Sequence, residues 1–544
     1  MLGKSSMKVA VGAAAVAVFA AGCTGGGSDE TEPASNAVVI GIAEPQSLLP
    51  GNSTEPNGAQ VLSALFYPLV TFDEQQEPVE AAAQSITTEN NRDWTVKLQD
   101  GFTFSNGEKV GADNYINAWN YAAYGPNAQR ASYFFERIDG YDDLQSKDPD
   151  GPDGAQRAPE PDAKTLAGLE KVDDLTFTVR LSSPFAGWRS VLASSAFHPL
   201  PNAAFSAPGV IADGFGDAVI GNGPFKMKGA WQHGAQIQVE KVDGFKGPPV
   251  KVQGIAYKIY EDPRSEYADL VAGAVDVQTA IPVENLASAP QDLEDRFRKS
   301  PNSVFQFVGF PTFQKEFAKA DVRHAISMAI DRQALTDQIF LGSQVPATAF
   351  VSPAVPGYRP DSCGKWCVHD PAEAKKLYTS AGGPSEIRIS YNSDGNHKPW
   401  VDAMCGQITA TLGAACVGVA EAKFTDLLTR VEKKDPVGMI RLAWVMDYPL
   451  MESYLGPLFT TNGSSNYYGY SDSQFDSLVA AGSAARSAEV AVEKWQDAED
   501  VLAADMPVIP LRFGQNVYGH SPRVTGVQVD LFQRVDVYSI ALAG

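Results

Sequence analysis

The sequence predicts an α/β fold, with a central sheet, spread over two or more domains. Three observations lead there. The chain has 544 residues, more than one hydrophobic core ordinarily serves. Strand-like alternation and helix-like periodicity interleave along its length. In the middle of the chain, strong helix signals are followed directly by strand signals, the succession that builds a sheet covered by helices.

Taken in order, residues 37–42 (AVVIGI) read as an opening strand. Residues 94–98 (WTVKL) and 175–181 (LTFTVRL) alternate apolar and polar side chains, as a half-buried strand does. Residues 104–124 start with a turn (FSNGEKV) and continue as a helix (GADNYINAWNYAAY). Residues 146–163 are rich in Pro, Gly and Asp and predict a long surface loop. Its acidic spacing invites comparison with a calcium loop, but Pro152 falls on a ligand position and Pro159 where a bidentate Glu is needed. Residues 321–340 (DVRHAISMAIDRQALTDQIF) place Val322, Ala325, Ile326, Ala329 and Ile330 on one helix face, with Asp321 as the expected N-cap. Residues 370–382 (DPAEAKKLYTSAG) supply Asp370 as cap, Pro371 in the first turn, Glu373 for a capping box and Gly382 as a stop. A strand at 386–391 (EIRISY) follows.

Composition narrows the function. Hydrophobic residues make up 44% and charged residues 20%, ordinary for a globular protein. Beyond the first two dozen residues, no apolar run approaches the roughly 20 residues that a spanning helix needs. A formal net charge of −22 disfavours nucleic acid and excludes a polybasic membrane anchor. Of the five cysteines, Cys363, Cys367, Cys405 and Cys416 cluster in one region. Four cysteines allow three pairings. The local ones, Cys363–Cys367 in a Pro/Gly-flanked loop and Cys405–Cys416 between a helix and the next strand, are favoured. A zinc site using His369 is the rival, and it lacks an evident fourth ligand.

Catalytic signatures are missing. The histidines His198, His233, His324, His369, His397 and His520 are dispersed. There is no HExxH, no G-x-S-x-G elbow and no phosphate-binding loop, and Val219 stands where a dinucleotide fingerprint needs its third glycine. These absences lower the expectation of an enzyme, and no cofactor and no metal are expected.

The N-terminus carries an address. Lys4 and Lys8 precede a short apolar stretch, residues 9–21, of the length of an export-signal core. Ala20, Ala21 and Gly22 before Cys23 resemble a bacterial lipobox, in which the cysteine becomes the acylated N-terminus. Residues 24–36 (TGGGSDETEPASN) have the composition of a flexible tether. A secreted protein cut near Ala21, with Cys23 incidental, is the plainer alternative. The lipobox resemblance implies residence on the extracellular face of the cytoplasmic membrane, held by lipid on Cys23.

Seven segments, in order, resemble the solute-binding proteins of peptide ABC transporters, the oligopeptide- and dipeptide-binding type of extracellular solute-binding family 5. They are residues 45–70 (PQSLLPGNSTEPNGAQVLSALFYPLV), 94–119 (WTVKLQDGFTFSNGEKVGADNYINAW), 221–231 (GNGPFKMKGAW), 262–277 (DPRSEYADLVAGAVDV), 321–335, 441–455 (RLAWVMDYPLMESYL) and 509–517 (IPLRFGQNV). The resemblance spans about residues 37–540. It implies a two-lobed, periplasmic-binding-protein-like (Venus flytrap) fold. Lobe I would comprise 37–280, with a subdomain inserted at about 73–200, and 508–544. Lobe II would comprise 281–507, with crossings near 279–283 and 506–510.

The resemblance also implies roles. Asp447 would meet the ammonium of a bound peptide. Trp444, Val445 and Met446, with Thr54 and Pro56, would hydrogen-bond its backbone as an added strand. Arg441 would meet its carboxylate, and Tyr133 would cover its first residue. Where relatives carry a Glu, this chain has Thr54, with Glu55 next to it. Val445 replaces a cysteine found in some relatives, and Pro311 follows Phe310 where relatives have Asn. The implied function is a monomeric, lipid-anchored receptor that captures short peptides and delivers them to an ABC transporter permease. Rival readings are a same-fold receptor for a non-peptide solute or a signalling peptide, and a cell-surface hydrolase.

Overall fold

In the computed structural model the described residues are 36–146, 158–393, 396–435 and 438–544. The expected signal 1–22, Cys23, the tether through residue 35 and residues 147–157 of the predicted loop lie outside them.

The architecture is an α/β fold organised by one mixed sheet, eleven-stranded among the described residues. Its first half runs Phe225–Met227, Gln236–Lys241, Gly254–Ile259, Ala37–Ile42 and Val277–Gln278. Its second half runs Met439–Trp444, Glu386–Asn392 and Ala415–Glu421. The parallel pairs lie within each half, Ala37–Ile42 on Gly254–Ile259 and Glu386–Asn392 on Ala415–Glu421. Both strands predicted there, 37–42 and 386–391, are present.

Two long strands join the halves. Phe297–Gly309 and Val508–His520 pair antiparallel from Phe297↔Gly519 to Gly309↔Val508. At one end Val508–His520 bonds to Val277–Gln278 of the first half. Towards the other, Phe297–Gly309 bonds to Met439–Trp444 of the second. Residues 281–296, expected to open lobe II, pack instead with the first half: Ile281, Leu286, Ala289 and Leu293 lie against Tyr267, Leu270 and Val517. Their apolar partners all come before the strand pair or from its first-half end, so the passage between halves begins at Phe297.

A second, four-stranded antiparallel sheet is inserted in the first half, in the order Ala83–Thr88, Asp93–Leu98, Thr176–Arg180 and Leu169–Asp173. The predicted helix forms over Ala112–Ala123. It buries Tyr115 and Trp119 against Phe177, with Trp119 also packed edge-on to Phe197.

The helix expected over 321–340 is broken into Ala320–Met328 and Arg332–Ile339. Two side chains explain the break. Asp331 accepts from Ala334 N at 2.9 Å and starts a new helix. Arg332, buried, donates to the carbonyls of Cys367 (3.1 Å) and Pro510 (2.6 Å) in neighbouring segments and to that of Ser327 (3.2 Å), in the last turn of the first helix. Asp321 is not the cap; Lys319 holds that position, and Asp321 lies in the first turn, where its charge suits the helix dipole. By contrast, Pro371–Ala381 forms as expected. Asp370 accepts from Glu373 N at 3.0 Å, and Gly382 ends the helix at φ 73°. Disulfides join Cys363 to Cys367 and Cys405 to Cys416, with Cα separations of 5.7 and 4.9 Å.

The strand pair carries a register shift between Pro301 and Phe305. Asn516, 2% exposed, fills it. Its amide donates to Asp530 O at 2.8 Å and Ser300 Oγ at 3.2 Å, and accepts from Asn302 Nδ2 at 3.3 Å. Asn516→Ala should leave these groups unpaired and lower stability by about 2 kcal/mol in chemical unfolding, whereas Asn→Ala at exposed Asn106 should change it by less than about 0.5 kcal/mol.

Candidate functional site

The site grows from the end of strand Met439–Trp444. Its neighbour Phe297–Gly309 sets the register, with Phe305 opposite Trp444 and Val308 opposite Arg441. After Trp444 the chain leaves the sheet. One residue fixes its path: Ser453, buried on helix Glu452–Phe459. The Ser453 carbonyl accepts from Trp444 Nε1 at 2.7 Å, and its hydroxyl accepts from Asp447 N at 2.9 Å. Between these anchors Met446 turns into the core, 2% exposed, and Val445 turns out, 47% exposed.

Asp447 faces the inserted subdomain. Its Oδ1 accepts from the Tyr133 hydroxyl at 3.0 Å. Tyr133 stacks on Phe134 with 4.6 Å between ring centres. Next to this contact, Arg137 pairs with Glu452 at 2.7 Å and lies over the Phe185 ring at 4.1 Å. Tyr448 donates to the other Glu452 oxygen at 2.6 Å. Arg137 is thus matched by Glu452, and Asp447 has no cationic partner among the described residues. Burial pushes the Asp447 carboxyl up to about 7, helped by the negative charges of Glu452 and Glu136, while the Tyr133 hydroxyl works against the rise.

Thr54 and Pro56 are exposed at the start of helix Pro56–Leu65. Their loop is fastened to the segment before Tyr133, since Ala131 N donates to Gly51 O at 3.0 Å and Arg130 N to Asn52 Oδ1 at 3.2 Å. Thr54, Pro56 and Tyr133 therefore belong to one wall, and Trp444 to Asp447 form another. No hydrogen bond joins Thr54 or Pro56 to the second wall among the described residues. Glu55, the carboxylate adjacent to Thr54, is occupied. It caps the helix, accepting from Asn57 N (2.7 Å), Gly58 N (2.7 Å) and Gln46 N (3.2 Å). Arg441 stands apart from Asp447, donating to Asn392 Oδ1 at 3.3 Å with its guanidinium 5.8 Å from the Phe424 ring centre.

The pattern described as bacterial extracellular solute-binding proteins, family 5 Middle, matches residues 77–466. The chain belongs to that family. The oligopeptide-binding protein OppA of Bacillus subtilis (strain 168) is 24% identical over 500 residues, covering 89% of this chain and 88% of OppA. The glutathione-binding protein GsiB of Escherichia coli O1:K1 / APEC is 23% identical over 509 residues, 91% of this chain and 92% of GsiB. Among solved structures, the unliganded open form of the periplasmic murein tripeptide binding protein MppA superposes with a TM-score of 0.78 at 21% identity, covering 93% of this chain and 97% of MppA. That likeness bears on the fold, which is the two-lobed family 5 fold.

In this family 5 protein, several residues that shape the site carry no sequence signal of their own. Ser453 and Glu452 follow the Asp447 segment closely enough to have been suspected, but a serine and a glutamate near a turn are common. Arg137 is far away in sequence and becomes relevant only when the inserted subdomain meets Glu452. His397 donates no motif either; it precedes helix Lys398–Leu412, and its Nδ1 accepts from Trp400 Nε1 at 3.2 Å.

Because the Tyr133 hydroxyl favours the ionised carboxylate, Tyr133→Phe should raise the Asp447 pKa above its value of about 7. A carbon-detected NMR titration of the labelled aspartate carboxyl checks this; an unchanged or lower midpoint would contradict the assigned contact.

Proposed function

We propose that this protein is a receptor for short peptides that serves an ABC transporter, and that Asp447 receives the peptide's ammonium group. The observation that carries the reading is the state of Asp447: a carboxyl desolvated between two walls, held by a neutral hydroxyl, with no cation supplied by the described residues. A buried carboxylate gains most from a charged, hydrogen-bonding partner, and an α-ammonium from outside is such a partner. The peptide-binding names of OppA and MppA agree with this reading, and GsiB, named for glutathione, is named for a small peptide as well.

The other positions take roles around that contact. The backbone at Trp444, Val445 and Met446 faces the ligand's main chain on one side, and Thr54 and Pro56 do so on the other. Arg441 receives the carboxylate and Tyr133 covers the first residue. Ligand touching both walls favours the closed arrangement of the lobes, which is selection of one conformation by differential contact. Release to the permease is the reverse opening. Lobe I, on this reading, is 37–280 and 508–544, and lobe II lies between, with the start adjusted to the strand pair. The protein acts as a monomer held by acylated Cys23 at the extracellular face of the cytoplasmic membrane, where residues 24–36 leave the lobes free to move.

Asp447→Ala should weaken binding of an unblocked peptide by at least about 30-fold, in keeping with roughly 2 kcal/mol or more for truncating a buried charge pair. N-acetylating the peptide should cost the wild type a similar factor and the variant little more. Calorimetry decides it, and equal affinities of wild type and Asp447→Ala would sink the assignment.

The pH dependence has a definite sign. An ammonium partner lowers the Asp447 pKa, so the bound form releases a proton that the free form holds below about 7. Affinity should be full just above pH 7 and fall towards acid by at most about tenfold per pH unit. It should fall again above about pH 8, where the peptide amine loses its proton. Titrations in buffers of different ionisation enthalpy should detect proton release near pH 6 in the wild type and none in Asp447→Ala.

For the anchor, Cys23→Ser should move the protein from the membrane fraction to the medium and abolish metabolic labelling with a fatty acid. Retention in the membrane with label intact would rule out Cys23.

A further inference from the structure

The second half holds a buried cation that the contacts above leave unused. Arg512, in strand Val508–His520, is 3% exposed. Its guanidinium lies between two aromatic faces, 4.3 Å from the Phe340 ring centre and 4.6 Å from that of Trp400. Nε donates to Gln344 Oε1 and Nη2 to Gln306 Oε1. Both acceptors are neutral amides. Among the described residues no carboxylate pairs with Arg512, and Nη1 makes no hydrogen bond. Burial, and then the charge of Arg441, press against its protonated form, yet an arginine keeps its proton at neutral pH.

Arg512 and Arg441 are on the same face of the sheet. Gln306 stands between Arg512 and Ala443, and Val308 stands opposite Arg441. Gln306 and Val308 are two residues apart on one strand, so their side chains point the same way. Trp400 is in the first turn of helix Lys398–Leu412, which turns the positive end of that helix towards the same place. Gln306, Gln344 and Arg441 are each partly open to solvent, so the rim around the buried guanidinium can be reached.

A guanidinium buried without an anion is an expensive arrangement. Aromatic faces and amide oxygens offset part of that cost, and the group that completes it is a carboxylate, whose two oxygens match the guanidinium fork. We propose that Arg512 makes a cationic subsite selecting peptides that end in Asp or Glu, its guanidinium taking the side-chain carboxylate of the terminal residue. This deepens the peptide-receptor reading and rests on it. Arg441 takes the α-carboxylate, and Arg512 takes the side-chain carboxylate of the same terminal residue. Arg441 lies six residues before Asp447, on the segment Met439–Trp444, and Arg512 lies across Gln306 from that segment, on Val508–His520.

The test is calorimetry on the purified chain with alanine peptides of two to five residues ending in Glu or in Gln. At the best length the Glu-ended peptide should bind about tenfold more tightly or better. Arg512→Gln should erase that difference while weakening the Gln-ended peptide by less than about threefold, and Arg512→Lys should restore part of it. Equal affinity for the two peptides in the wild type overturns the inference and leaves the peptide receptor standing. A preference for Glu that survives Arg512→Gln also overturns it. If no peptide of the set binds, the receptor reading itself fails, and this inference with it. Should Arg512→Gln not fold, the wild-type comparison decides alone, supported if the Glu advantage shrinks as salt is raised.

Discussion

The rest of the structure depends on the antiparallel pair Phe297–Gly309 and Val508–His520. As a pair these strands are the link in the sheet between the two halves among the described residues: Val508–His520 bonds to Val277–Gln278, and Phe297–Gly309 to Met439–Trp444. Everything on either side inherits its position from them. Val277–Gln278 and Ala37–Ile42 follow from the His520 end, and Met439–Trp444 follows from the Gly309 end. Sheet hydrogen bonds hold each half stiff. At the register shift after Pro301 the ladder is interrupted, and buried amides replace it.

That geometry explains the electrostatics of the cleft. Both walls approach closely enough for Tyr133 to reach Asp447 and for Arg137 to reach Glu452. The two contacts are unlike. Arg137 and Glu452 satisfy each other, with Tyr448 as a third member, so they bring the walls together at no cost in unmatched charge. Asp447 gains only a hydroxyl. Its carboxyl is therefore the group whose energy changes most when a cation enters, which is the condition for a ligand to favour one arrangement over another. A site with Asp447 already paired to an arginine would close equally well empty and full.

Local signals were legible and non-local ones were not. The strand at 37–42 and the helix at 371–381 were readable because a short apolar run, a capping Asp and a terminal Gly act over a few residues. The helix at 321–340 was misread as continuous because its apolar face runs straight through the break. What splits it, Arg332 reaching Pro510 O, is a contact between residues 178 apart. At the site, Asp447 and Tyr133 were found through the ordered resemblance and meet in space. Glu55, adjacent to Thr54, is a helix cap, a role fixed by three backbone N–H groups that sequence alone does not orient. Arg512 drew no attention because an arginine in a strand is usually half-exposed, and only the aromatic pair around it marks it as buried.

The charges of the site are divided unequally between the halves. Asp447 and Arg441 belong to the second half, and Arg512 lies on the part of the joining strand Val508–His520 that packs with it; the first half contributes Thr54, Pro56 and the Tyr133 hydroxyl, which are neutral, and Arg137, which Glu452 matches. On the peptide-receptor reading proposed above, a zwitterionic ligand would meet its charged partners on that side first, and the neutral groups of the first half would add contacts that depend on length and shape. This division also suits a protein of net charge −22. On the same reading, the overall negative field would draw an ammonium end in from a distance, and buried Arg512 with the partly open Arg441 would supply the local positive potential for the far end.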